Sequence, residues 1–180
     1  MALPRLPTLL AALALAPVLG PGGSWPLQAQ EQVPATVLSI GDGDSLRVLQ
    51  GGRPISVRLA CIDAPELSQH PYGERSRQYL RTRLRIGSRV RLLPQTVDRY
   101  GRTVAEVIAE VNLGLAMVED GQAFTYRRYL AACNQQDYLE AEFRASRHRF
   151  GVWERPGGIP RPWEVRWGRF SREISDVGLP

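Results

Sequence analysis

Hydrophobic and polar positions alternate with a period near two in runs between Pro34 and Ile62. Pro34 to Ile40 alternates in part and ends at the turn cluster Gly41-Asp42-Gly43; Ser45 to Gln50 resumes the pattern, and Gly51-Gly52 turns the chain again. A third run, Ile55 to Ile62, sets Val57, Leu59 and Cys61 on one face and Arg58, Ala60 and Ile62 on the other. Proline ends it within Asp63-Ala64-Pro65-Glu66. Two further strands are predicted at Val90 to Leu93 and Thr103 to Ala109, joined by the polar turn Asp98-Arg99-Tyr100-Gly101-Arg102. Helical spacing takes over from Glu74 to Leu84, where Tyr79, Leu80 and Leu84 recur among arginines until Gly87 stops the helix. Asn112 caps a second helix through Glu119, and Asn134 a third through Arg149, whose period runs through Tyr138, Leu139, Phe143 and Phe150. Five short strands and three helices predict an α+β domain. Beyond Pro156-Gly157-Gly158 the period is lost among Trp163, Trp167, Phe170 and interleaved arginines, a tail that either packs over the domain or is mobile.

The segment ahead of the first strand has a different character. Arg5, an apolar run from Leu9 to Leu19 and the Pro, Gly and Ser-rich stretch Pro21 to Ser24 read as a signal peptide. That run is shorter than the roughly 20 residues of a membrane span, which makes an uncleaved anchor the lesser alternative. The expected organisation is a leader over 1–29, one domain over 30–155 and a Trp/Arg-rich tail over 156–180, with the product secreted or periplasmic. A length of 180 residues with 43% hydrophobic side chains is enough for one real core and argues against two large domains. Export bears on Cys61 and Cys133 as well: in an oxidising compartment the pair forms a disulfide, and the other reading is two buried free thiols.

Charge narrows the chemistry. The formal net charge is +5, and every one of the 23 basic residues is Arg. Without Lys there is no Schiff-base lysine, no lysine base and no Walker A loop. With only His70 and His148, a His-rich metal site or a two-histidine acid/base mechanism has no material. Between Arg75 and Arg102 nine Arg face one acid, Asp98, an excess suited to steering a polyanion, although a solvated helix face accounts for part of it.

Two acidic clusters stand out against this background. Asp42-Gly43-Asp44-Ser45 is a hairpin signal by itself, and it is not an EF-hand loop, since Arg47 and Arg53 occupy the positions that need Gly and Glu. Asp63 and Glu66 end the strand expected to neighbour that hairpin. Three carboxylates meeting at one end of a barrel repel one another unless a cation joins them; hard oxygens suit Ca²⁺ or Mg²⁺, and Ala64 offers a backbone carbonyl. The plainer reading is solvated turn carboxylates. Arg58 and Arg102, facing such a cation and a spare carboxylate, are suited to phosphoryl transfer, because guanidinium pairs bidentately with phosphate oxygens. Tyr100, and Tyr126 and Tyr129 beside Arg127 and Arg128, can stack on bases while the arginines hold the backbone.

The order Asp42-Gly43-Asp44-Ser45, Val57-Arg58-Leu59, Ile62-Asp63-Ala64-Pro65-Glu66, Asp98-Arg99-Tyr100-Gly101-Arg102 and Gly151-Val152-Trp153 resembles the staphylococcal nuclease-like, or thermonuclease, family over about residues 33 to 154. The resemblance implies a five-stranded OB-type barrel with three helices. It implies an exported, calcium-dependent endonuclease acting on single- or double-stranded DNA and RNA, cutting to leave 3'-phosphates. By position, Asp44 and Asp63 match the calcium-ligating carboxylates, with the Ala64 carbonyl as a backbone ligand and Asp42 in the outer shell. Arg58, Glu66 and Arg102 match the catalytic trio, and Arg99, Tyr100 and Tyr129 match nucleotide contacts. Arg127 stands where a nucleotide-contacting Tyr is found in the best-known member, and the loop from Glu66 to Tyr72 is shorter than the family's omega loop. No obligate protein partner is inferred, and a monomer is expected. The alternative is a non-catalytic OB module that binds single-stranded nucleic acid; a third reading is an envelope interaction domain with purely structural calcium.

Overall fold

The computed structural model describes residues 31–168; the predicted leader and residues 169–180 lie outside the described residues. In chain order the elements are β1 (Val33–Ile40), β2 (Ser45–Gln50), β3 (Arg53–Leu59), β4 (Ile62–Asp63), α1 (Tyr72–Arg83), β5 (Arg89–Val97), β6 (Thr103–Ile108), α2 (Leu113–Glu119), β7 (Phe124–Thr125), α3 (Gln135–His148) and α4 (Pro162–Arg166). A 3₁₀ helix covers Arg127–Ala132, and a single 3₁₀ turn covers Gly151–Trp153. Five strands close into a barrel in the order β1-β2-β3-β6-β5, and β3 with β6 is its one parallel pair. Inward-facing side chains on alternate positions, among them Val37, Leu46, Val48, Val57, Leu92 and Val107, fill it. A closed barrel leaves no free edge at this end of the sheet, so the loops that leave it are held at fixed positions.

Three departures from the sequence pattern have physical causes. The run Ile55 to Ile62 does not continue as one strand: β3 ends at Leu59, Cys61 takes a left-handed backbone conformation (φ 64°), and β4 turns off to pair with β7 through Ile62↔Thr125 and Asp63↔Phe124. β5 extends past Leu93 to Val97 because its pairing with β6 continues to Val97↔Thr103; the register shifts between Pro94 and Thr96, which lets the ladder tolerate a proline. On α3 the buried face is Tyr138, Ala141, Glu142 and Ala145, whereas Leu139, Phe143 and Phe150 are exposed. Tyr138 anchors that face, its hydroxyl donating to Glu106 Oε1 at 2.9 Å.

α1, α2 and α3 close one side of the barrel with Leu80, Leu84, Leu113, Met117 and Tyr138. A second cluster joins Phe124, Ala145, Val152, Trp153 and Ile159, with Trp163 against it, so residues 156–168 pack on the domain and add the fourth helix. Cys61 and Cys133 form a disulfide across 72 positions, tying the corner before Asp63 to the start of α3. Among the described residues no helix is long and apolar enough to cross a membrane.

Candidate active site

Two loops that leave the barrel at the same end bring the acidic clusters together. Asp44 sits at the β1–β2 turn; its N–H donates to Asp42 Oδ1 at 3.1 Å, and its carbonyl accepts from the Leu59 N–H at 2.8 Å. The turn reaches so close to its neighbours that only glycine fits at 43: an added Cβ would lie 2.6 Å from the Ala64 Cβ and 2.7 Å from the Ser76 Cβ. Asp63, on β4, is wholly buried, and the Ala64 N–H donates to Asp44 Oδ2 at 3.1 Å. The Glu66 loop is fixed by Gln69, whose Oε1 accepts from the Glu66 N–H at 3.0 Å, and by α1, whose Gly73 lies flush against the Glu66 carbonyl.

Arg58 projects from β3 into this cluster. Its Nη2 lies 2.6 Å from Asp63 Oδ1 and 3.0 Å from Asp44 Oδ2. Burial pushes the Asp44 carboxyl up to about 7; Arg58 pulls the other way, and Asp42 and Asp63 add to the rise. Burial also acts against the charged Arg58, but the two aspartates outweigh it and hold its pKa above the ordinary value. Arg102, at the start of β6, gives its Nε to Asp98 Oδ2 at 2.7 Å, while Asp98 Oδ1 accepts the backbone N–H groups of Tyr100 and Arg102. These bonds outweigh the desolvation of Asp98 and keep its carboxyl below the usual range.

A cleft of about 950 Å³ joins these groups. Asp42, Asp44, Arg58, Glu66 and Arg102 all line it, and so do Ala64, Arg99, Tyr100 and Tyr129. Tyr100 and Tyr129 are 68% and 54% exposed, open enough for a flat group to lie on them. Arg127 does not join them: its guanidinium turns to the buried Glu142, 2.5 Å from Oε2, and the neighbouring Arg128 lines the cleft instead. Glu142 also accepts the Thr125 N–H at 3.0 Å, which makes Arg127 part of the β7–α3 joint.

The donor set fits a hard divalent cation. Asp44 and Asp63 are oxygen donors in a buried site, where burial, more than any neighbouring charge, raises the Asp44 pKa. Among the described residues no three Asp, Glu, His or Cys side chains converge into a metal centre; hard cations commonly complete a smaller set of carboxylates with backbone carbonyls and water.

The sequence pattern missed one cleft residue that touches the acidic cluster. Arg166, at the end of α4, pairs with Asp63 and with Glu66. The signal for α4 was present: Pro162 at the first helical position and Glu164, whose Oε2 accepts the Arg161 N–H at 3.1 Å. Nothing local indicated that this helix returns to the cleft.

Comparison with known proteins agrees with this geometry. The family model described as staphylococcal nuclease homologue matches residues 56–155. A protein named micrococcal nuclease from Shigella flexneri is 38% identical over 150 residues, 78% of this chain and 83% of that protein. Protein ParB of Escherichia coli is 34% identical over 178 residues, covering 93% and 94% of the two chains, and an uncharacterized endonuclease of Haemophilus influenzae is 38% identical over 138 residues, 75% of each. With more than half of its length matched by the family model, and with a closed five-stranded barrel that carries both acidic clusters to one cleft, the chain belongs to the staphylococcal nuclease homologue family.

Proposed function

We propose that this protein is an exported, calcium-dependent endonuclease that hydrolyses phosphodiester bonds of DNA and RNA with little sequence preference and leaves 3'-phosphates. The observation that carries the reading is the meeting in one cleft of Asp44, Arg58, Glu66 and Arg102, flanked by exposed Tyr100 and Tyr129, with Asp63 buried directly behind them. Nuclease and endonuclease are also the words in the names of two of the relatives just described. Export is supported by the Cys61–Cys133 disulfide, since such bonds persist in oxidising compartments.

Asp44 and Asp63, with the Ala64 carbonyl, would hold the calcium; when bound it supplies positive charge to the phosphoryl oxygens as their charge grows in the transition state. Glu66 accepts a proton from the water that attacks phosphorus in line. Arg58 and Arg102 donate to the phosphoryl oxygens. Both have donors to spare, because the contacts to Asp44, Asp63 and Asp98 use one nitrogen of each guanidinium. The bond to the 5' oxygen breaks, so the upstream fragment keeps a 3'-phosphate and the downstream fragment leaves with a protonated 5'-hydroxyl. Tyr100 and Tyr129 offer stacking surfaces and Arg99 and Arg128 balance the backbone, contacts that read no base edge and so give little sequence preference.

The test is release of acid-soluble fragments from single-stranded DNA by the purified protein, with calcium and then with a calcium chelator. Release that depends on calcium supports the reading. Intact DNA under both conditions, with salt-dependent binding retained by a folded protein, would make the chain a non-catalytic binding module instead.

A further inference from the structure

The segment after Trp153 carries one more cation into the cleft, and it does so from outside the barrel. α4 is held by aromatic packing: Trp163 stacks on Tyr126 at 4.9 Å with 11° between the rings, and meets Phe124 edge-on at 6.3 Å. Gln69 Nε2 donates to the Pro160 carbonyl at 2.8 Å, so the side chain that fixes the Glu66 loop also fastens the tail. From the last residue of this helix, Arg166 reaches both oxygens of Asp63, at 3.2 and 2.5 Å, and pairs with Glu66.

One guanidinium therefore occupies a carboxylate of the proposed cation site and the carboxylate proposed as base. Asp63 Oδ1 accepts from Arg58, which is fixed on a barrel strand, and Arg166 holds both Asp63 oxygens, so a further cation that draws on Asp63 competes with Arg166. The Glu66 carboxylate that would accept the water's proton is engaged by the same guanidinium. The unit that carries Arg166 is a single helix of five residues. The chain ahead of it is open at Gly157 but packed at Gly158 against Trp153 and Arg161, so release of Arg166 concerns the helix itself rather than the Gly-Gly turn.

We propose that α4 is an autoinhibitory strap: Arg166 closes the cleft by holding Asp63 and Glu66, and calcium binding releases it. The proposal rests on the calcium-dependent reading above. It makes calcium and the closed strap mutually exclusive on Asp63, so each weakens the other by the same factor.

Calcium titration of the full chain by calorimetry, comparing wild type with Arg166→Ala and Arg166→Gln, tests this together with hydrogen exchange of the amides of residues 163–167. The expected result is calcium affinity on the order of tenfold tighter in both variants, and faster exchange across 163–167 in the wild type at saturating calcium. Equal, measurable affinities in wild type and variants, or exchange that calcium leaves unchanged, would overturn the strap while the cation site stands. No calcium binding by any of the three proteins would overturn the strap and the calcium-dependent reading together.

Discussion

Arg58 and Asp63 lie 2.6 Å apart, and the same guanidinium nitrogen also reaches Asp44, so one cation from a barrel strand balances two buried carboxylates. Removing it leaves the buried Asp44 without its ion-pair partner, while Asp63 keeps Arg166. Arg58→Ala should lower stability by about 3 kcal/mol in calcium-free buffer, since a buried carboxylate then loses its partner. Calcium should restore more stability to the variant than to the wild type, because the added cation takes over the missing charge. Denaturant unfolding with calcium and with chelator measures both effects.

The raised Asp44 carboxyl sets a pH dependence. Its folded value of about 7 lies above the ordinary 3.8, so the folded state binds the extra proton between those values. Stability from this group is present below about pH 4 and is lost as pH rises through about 7 in the calcium-free protein. Asp44→Asn should flatten that decline and abolish stabilisation by calcium. Thermal unfolding in chelator from about pH 4 to about pH 8 reads the slope.

Gly43 is where the acidic turn comes closest to its neighbours. In Gly43→Ala the new Cβ meets the Cβ atoms of Ala64 and Ser76, neither of which is the far end of a flexible chain. The turn must shift and carry Asp44 with it. Stability should fall by about 1–3 kcal/mol, and cleavage by on the order of 10²-fold, since a displacement of about 1 Å is enough for that. Cleavage rates compared with unfolding midpoints separate the two losses.

Arg127 and Arg128 are adjacent in sequence but have different surroundings. Arg127→Ala should destabilise by about 1–3 kcal/mol by leaving the buried Glu142 short of a donor, with DNA affinity nearly unchanged. Arg128→Ala should do the reverse, weakening affinity and its salt dependence with little effect on stability. Filter binding across a salt series and denaturant unfolding on both variants check this contrast.

Much of the barrel can be read along the chain because its strands alternate and its turns carry Gly and Asp, and Asp44, Arg58, Asp63 and Glu66 fall within two hairpins and one corner. The β4–β7 pairing cannot be read this way: two-residue strands have no period, and the departure at Cys61 depends on a backbone conformation that side-chain pattern does not encode. Arg127 looked like a cleft residue because it sits between two tyrosines; its turn toward Glu142 depends on a buried acid that interrupts an otherwise apolar helix face. Arg166 lies 100 positions from Glu66, and the packing of Trp163 on Tyr126 and Phe124 together with the Gln69–Pro160 hydrogen bond brings it back.

In the proposed reaction Glu66 takes a proton from the attacking water in a calcium-dependent cleavage. Single-turnover cleavage of single-stranded DNA in saturating calcium, by wild type and by Glu66→Gln, tests it most directly when DNA affinity is measured on the same samples. The variant's rate should be lower by roughly 10² to 10⁴-fold, the usual contribution of a general base, with affinity nearly intact. A Glu66→Gln protein that cleaves at the wild-type rate, or that loses affinity and rate in equal proportion, would contradict it.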